Sequence, residues 1–188
     1  MAFSSRRVIL IALISMIAIS PSLGRKEKEA SSKMEKYLRD LCSKTNETKE
    51  CWAIIKRDLT KFNDTDPRKI AVTTIVLAKT KGEEIHEELD RLYEGSRDDK
   101  LKYKYGLCSK NYSDAIRNLY FARRDLELSD DRNIPIQIDD TLEELTSCGV
   151  QFEKNSFDPA HIRNRNKEFG ICVQIVKAAT ERLLLMKN

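Results

Sequence analysis

Apolar positions recur at helical spacing in four long runs of this chain. From Pro67 onward, Ala71, Ile75, Ala78, Ile85, Leu89 and Leu92 trace one stripe, and Gly82 falls on the same face, where backbones can approach closely. The pattern predicts a helix over about 67–93, with Asp66 placed to cap it and Pro67 in its first turn. Tyr112, Ala115, Leu119, Ala122 and Leu126 define a second stripe, on a helix from about Tyr105 or Gly106 to Ser129. After a turn at Asp130 to Asn133, Ile138, Leu142 and Leu145 resume the pattern on a third helix, about Pro135 to Phe152. The last run carries Ile162, Phe169, Val176 and Leu183 at seven-residue spacing, with Cys172, Ala179 and Met186 beside them. Two interleaved series of this kind predict packing at two seams, and the short connections make sequential neighbours antiparallel.

Two shorter patterns precede the bundle. One begins near Met34 with Tyr37, Leu38 and Leu41 and breaks at Ser43 to Asn46; the other starts near Thr48 and runs through Cys51, Trp52, Ile55 and Leu59. On a single helix Cys42 and Cys51 would lie more than two turns apart, too far for a disulfide, so the spacing predicts two short antiparallel helices clipped together. Cys108 and Cys148 would staple the second bundle helix to the third, a restriction of the unfolded chain worth roughly 2 to 4 kcal/mol. The expected fold is therefore all-α: an antiparallel four-helix bundle over 67–187, an N-terminal helical hairpin over 34–62 and two disulfides. Residues Arg25 to Lys33 read as a charged, frayed lead, and Glu94 to Lys104 as a charged connection in which Lys102, Tyr103, Lys104 and Tyr105 are a prelude to the second bundle helix.

The beginning of the chain sets the compartment. Arg6 and Arg7 precede an apolar run from Val8 to Ile19, and Ser22 and Gly24 supply small residues before a cleavage point. This predicts a secretory signal over 1–24 and a working domain over 25–188; the alternative, a membrane anchor, would need a longer apolar run. Loss of Arg6 and Arg7 lowers the formal charge from +4 to +2. The remaining basic residues interleave with acidic ones and form no stripe, which argues against a nucleic-acid partner and for a solvated helical surface, with no membrane partner for the mature form. A secreted chain permits disulfides, and five cysteines leave one over; Cys172, on the apolar stripe of the last helix, is the candidate free thiol. Three N-glycosylation patterns also follow the signal, at Asn46, Asn63 and Asn111, the third less accessible at a helix start beside Cys108.

Enzymatic chemistry finds little footing. Of two histidines, His86 could form a local cluster with Glu83, Glu87 and Asp90, but no His-Glu-x-x-His or paired Glu-x-x-His arrangement occurs, and a solvated helix face accounts for these residues. His161 reads as a residue near a helix start. Cys172 has no adjacent base, and Gly-rich phosphate loops, Cys-x-x-Cys pairs and nucleophile elbows are missing. The expectation is a protein with no catalytic residue, metal or cofactor, working through surface complementarity.

Three ordered motifs narrow this further. Cys42-Ser-Lys-Thr45 followed by Cys51 and Leu59, then Cys108 with Tyr112, Ala115, Leu119 and Ala122, then Thr146-Ser147-Cys148 with Phe152, together resemble the signatures of the plant invertase and pectin methylesterase inhibitor family, over about Tyr37 to Leu185. The resemblance implies a four-helix bundle with an N-terminal hairpin and the pairings Cys42–Cys51 and Cys108–Cys148. It further implies a secreted, non-enzymatic protein, monomeric before complex formation, whose partner is a pectin methylesterase or an acid invertase, in the apoplast of the cell wall or in the vacuole. Methylesterase inhibitors of the family cover an acidic, aromatic-rich cleft with bundle helices, whereas invertase inhibitors use the hairpin side and a Pro-Lys-Phe motif, which this chain lacks. The chain also has Thr48 where the family often has proline, and Asp140-Thr141-Leu142-Glu143-Glu144-Leu145 where a small-residue run is common. An unpaired cysteine such as Cys172 is similar to one found in some methylesterase inhibitors. Arg117, Arg124, Asp140, Glu143 and Glu144 are the candidate target contacts on the second and third bundle helices. Of another class, a helical carrier or signalling module would call for an apolar cavity above a few hundred Å³ or a receptor-binding patch.

Overall fold

The computed structural model describes residues 21–153 and 156–186, with side chains from Glu29 onward. Most of the expected signal segment, residues 1–20, lies outside the described residues. Six α-helices follow: α1 (Pro21–Cys42), α2 (Thr48–Arg57), α3 (Pro67–Gly95), α4 (Asp99–Leu128), α5 (Ile134–Gln151) and α6 (Ile162–Leu185), with short 3₁₀ turns at Leu59–Lys61 and Asp131–Asn133 and no strand among the described residues.

The four long helices close a ring: α3 packs on α4 and α6, and α5 packs on the same two from the other side. The stripes read from the sequence point inward. Ala71, Ile75, Ala78, Ile85 and Leu89 of α3, the five named residues of α4, and Ile162, Phe169, Val176 and Leu183 of α6 are all buried. Met186 is not; it lies just past the end of α6 and is 65% exposed. Gly82 sits where α3, α4 and α6 converge. A Cβ there would stand 2.9 Å from Phe169 Cζ and 3.2 Å from Ile116, and the Phe169 ring is fully buried and stacked on Tyr112 at 5.2 Å, so it has nowhere to move. Gly82→Val should therefore destabilise the fold by about 1 to 3 kcal/mol in urea unfolding. An unchanged midpoint would mean that the three helices do not meet this closely.

Two helix starts differ from the expectation. α1 begins at Pro21, well before the apolar pattern: the segment expected to fray is rich in Lys and Glu, good helix formers, and Glu29 pairs with Lys33 one turn on. α4 begins at Asp99 instead of Tyr105, because the Asp98 carboxylate accepts the backbone N–H groups of Lys100 and Leu101. Cys108 and Asn111 thus lie well inside α4 and not at its start. At α3 the Asp66 carboxylate accepts the N–H of Arg68, with Pro67 behind it.

The hairpin of α1 and α2 leans on α6. Cys42 and Cys51 are joined across its turn, which Thr45 tightens by donating to the Cys42 carbonyl at 2.8 Å. Leu38, Leu41 and Ile55 are buried in the common core, while ion pairs Asp40–Arg182, Glu47–Lys167 and Arg57–Glu168 run along the rim. At the opposite seam, α6 opens on His161 in the left-handed region, with φ 54°, and the Asp158 carboxylate receives the N–H groups of Ile162 and Arg163. Arg163 then reaches back to the carbonyls of Phe152 and Glu153, tying the start of α6 to the end of α5.

Candidate functional site

The seam between α4 and α5 is held at three heights. Cys108 and Cys148 bridge it with Cα atoms 4.7 Å apart; further along, Asn111 Nδ2 donates to the Glu144 carbonyl at 3.1 Å; and near the other end Gln137 Nε2 donates to the buried Asp125 carboxylate at 2.8 Å. Asp125 also accepts two N–H groups of Arg124, at 3.0 and 2.8 Å. An inward-facing carboxylate needs such partners, and here they lock the register of the two helices.

The candidate contact residues all lie on the two helices of this seam. Arg117 and Arg124 are exposed on α4, Arg117 steadied by Asp114 at 2.8 Å; Asp140 and Glu143 are exposed on α5, and Glu144 is half-buried at the seam. Burial raises the Glu144 carboxyl above its ordinary value, Asp114 adds to the shift, and Lys110 and Arg117 oppose it. Reading charges alone missed the aromatic and aliphatic part of the same face. Tyr120 lies three residues from Arg117 and four from Arg124, hence on the same side of α4, and is 53% exposed. Leu128 and Ile136 continue the exposed row at the α4–α5 corner, and Arg124 lies over the Phe121 ring at 4.9 Å. The signal for Tyr120 was present in the sequence: an aromatic residue at helical spacing between two arginines, off the buried stripe.

The other candidates fall elsewhere. His86 does not gather Glu83 and Glu87; Glu83 pairs with Lys79, whereas His86 Nδ1 lies 3.2 Å from Ser109 Oγ and 3.5 Å from Asp90. Ser109 donates directly to Asp90 at 2.5 Å, so the imidazole is not interposed between hydroxyl and carboxylate and no proton relay results. Among the described residues no group of three His, Cys, Asp or Glu side chains could hold a metal ion. Cys172 is the free cysteine and is buried; burial first, and then the Glu168 charge, push its thiol up to about 12, which keeps it protonated and unreactive. The larger hollows, of about 490 and 520 Å³, are grooves open to solvent between helices and not chambers inside the bundle. No helix among the described residues is long and apolar enough to cross a membrane.

Comparison with known proteins bears on what this arrangement is. No protein-family model matches the chain. A pectinesterase inhibitor of Actinidia deliciosa is 26% identical over 155 residues, covering 81% of this chain and 82% of the inhibitor. Among solved structures, a mutant form of a pectin methylesterase inhibitor from Arabidopsis superposes with a TM-score of 0.67 at 21% identity, covering 74% of this chain and 92% of that one. A second structure of a pectin methylesterase inhibitor, from Arabidopsis thaliana, gives 0.54 at 21% identity, over 77% and 94%. In sequence and in fold the chain is thus similar to pectin methylesterase inhibitors. Most of the motif residues that carry the resemblance are structural here, while Thr146 and Ser147 are exposed on α5. Thr45 closes the hairpin turn; Tyr112, Ala115, Leu119 and Ala122 are the buried stripe of α4; and Phe152 is fully buried against Tyr105, with ring centroids 5.8 Å apart. They build the core and the hairpin turn of the bundle.

Proposed function

We propose that this protein is a secreted, non-catalytic inhibitor that binds a pectin methylesterase and covers its substrate cleft with the α4–α5 face. In this reading residues 1–24 direct export, 25–188 form the working domain, and the chain meets its target as a monomer in the extracellular space of the cell wall. The observation that carries the proposal is the seam itself. Two arginines, an exposed tyrosine and aliphatic side chains, with Asp140 and Glu143, stand on two helices locked by a disulfide and two half-buried hydrogen-bonded pairs. Tyrosine and arginine carry much of the energy of protein docking, and a preformed face loses little conformational freedom when it docks. Arg117 and Arg124 also complement an acidic cleft. The likeness to inhibitors named for pectin methylesterase supports the same target.

The test is a titration of the purified domain, from Arg25 onward, against a pectin methylesterase and an acid invertase in parallel across the acidic pH range of the wall. Demethylation of pectin should fall in proportion to added protein while sucrose hydrolysis continues. Loss of invertase activity alone would move the target to the other branch of the family. Full activity of both enzymes at excess protein would remove inhibition as the function.

A further inference from the structure

The three glycosylation patterns are chemically alike in sequence but not in space. Asn46 is exposed in the turn between α1 and α2, and its backbone N–H donates to Gln174 of α6 at 3.1 Å, which presents the turn against α5 and α6. Asn63 is exposed in the loop between Phe62 and Asp66, a loop braced from its far side by Asp64, which accepts from Lys69 at 2.6 Å. Thr48 and Thr65, the hydroxyl residues of the two patterns, are exposed as well. Asn111 differs. It lies within α4, half-buried, and its Nδ2, the atom that would carry a sugar, is the donor to Glu144 that pins the α4–α5 seam.

We propose that Asn46 and Asn63 carry N-linked glycans, that Asn111 stays bare, and that the Asn46 glycan lies over the groove between the hairpin, α5 and α6. The transfer joins Asn Nδ2 to the anomeric carbon of the reducing-end N-acetylglucosamine of a polyprenyl-diphosphate oligosaccharide. The amide nitrogen gives up a proton, the sugar's bond to the diphosphate breaks, and the lipid diphosphate leaves. Asn46 itself lines the groove of about 490 Å³ and also the adjoining hollow of about 260 Å³ along α6. The groove is lined by the apolar side chains of Leu142 and Val150, which face the C–H sides of the first sugars, and by the polar side chains of Glu47 and Gln174. A sugar on Asn111 would occupy the space in which α4 meets α5, on the nitrogen that donates to the Glu144 carbonyl. The consequence is a division of the surface. One open groove is shielded, and the α4–α5 face is left uncovered.

The inference rests on the secretory reading above and is independent of inhibition. The full chain, with its own leader, is expressed in plant cells, collected from the medium and mapped by mass spectrometry before and after enzymatic deglycosylation. Asn46 and Asn63 should be occupied and Asn111 unmodified, and N46Q should lose one glycan. Hydroxyl-radical footprinting should label Leu142 and Val150 several-fold less in the wild-type protein than in N46Q. A bare Asn46 in secreted protein, a glycan on Asn111, or equal labelling of the groove overturns the inference while leaving export intact. A chain retained in the cell without sugar overturns export and the inference with it.

Discussion

Replacing Cys108 and Cys148 together by alanine is expected to lower the free energy of unfolding by about 4 kcal/mol. That value follows from the loop-closure entropy of a 40-residue loop, and it corresponds to a melting temperature roughly 8 to 16 °C lower for a domain of this size. The double replacement matters, since a single one would leave a thiol in a fully buried site. The Cys42–Cys51 bridge closes only nine residues, so its removal should cost less, about 3 kcal/mol, and should free the hairpin more than the bundle. Scanning calorimetry of the two double variants settles the order. Equal losses, or a drop under about 2 °C for the Cys108–Cys148 pair, would show that packing alone holds α4 on α5.

The second large effect concerns binding. Arg117→Ala combined with Tyr120→Ala should weaken the complex with pectin methylesterase at least about 100-fold, about 2.8 kcal/mol, because both are exposed residues of the types that dominate docking energy. Neither side chain supports the core, so the melting temperature should stay within about 2 °C of wild type. Arg124 is left in place because it pairs with the buried Asp125, and its loss would confuse folding with binding. Lys36→Glu, on the outer side of α1, serves as the control and should bind as wild type. Unchanged inhibition by the Arg117 and Tyr120 variant would move the contact surface elsewhere on the bundle.

The fold was legible because its determinants repeat. Each long helix announces its buried stripe, and the cysteine spacing excluded a single N-terminal helix. Most of the residues that carry the resemblance to a known family, Thr146 and Ser147 aside, proved to be core and turn residues, which explains why they were readable from one chain. Boundaries set by side-chain caps were less visible: Asp98 starts α4 ahead of its apolar pattern, and Asp158 caps α6 from beyond His161. The candidate site was legible only in part. Arg117, Arg124, Asp140 and Glu143 stand out as charges, but how α4 and α5 sit against each other depends on the register fixed by Asp125–Gln137 and Asn111–Glu144, pairs formed between helices whose partners no local pattern specifies. Tyr120 joins Arg117 and Arg124 on α4 through helical spacing alone. His86 shows the converse, since its intrahelical neighbours suggested a cluster and its nearest contact, Ser109, came from the facing helix.

The central claim is that a rigid α4–α5 face closes the enzyme. It is met most directly by titrating a pectin methylesterase with the secreted, deglycosylated protein while following both residual activity and hydrogen exchange of the inhibitor. The expected result is an equivalence point at one inhibitor per enzyme, with exchange slowed on α4 and α5 around Arg117, Tyr120 and Asp140 and unchanged on the hairpin. Complex formation that protects α1 and α2 instead, or protection of α4 and α5 without loss of activity, would contradict it.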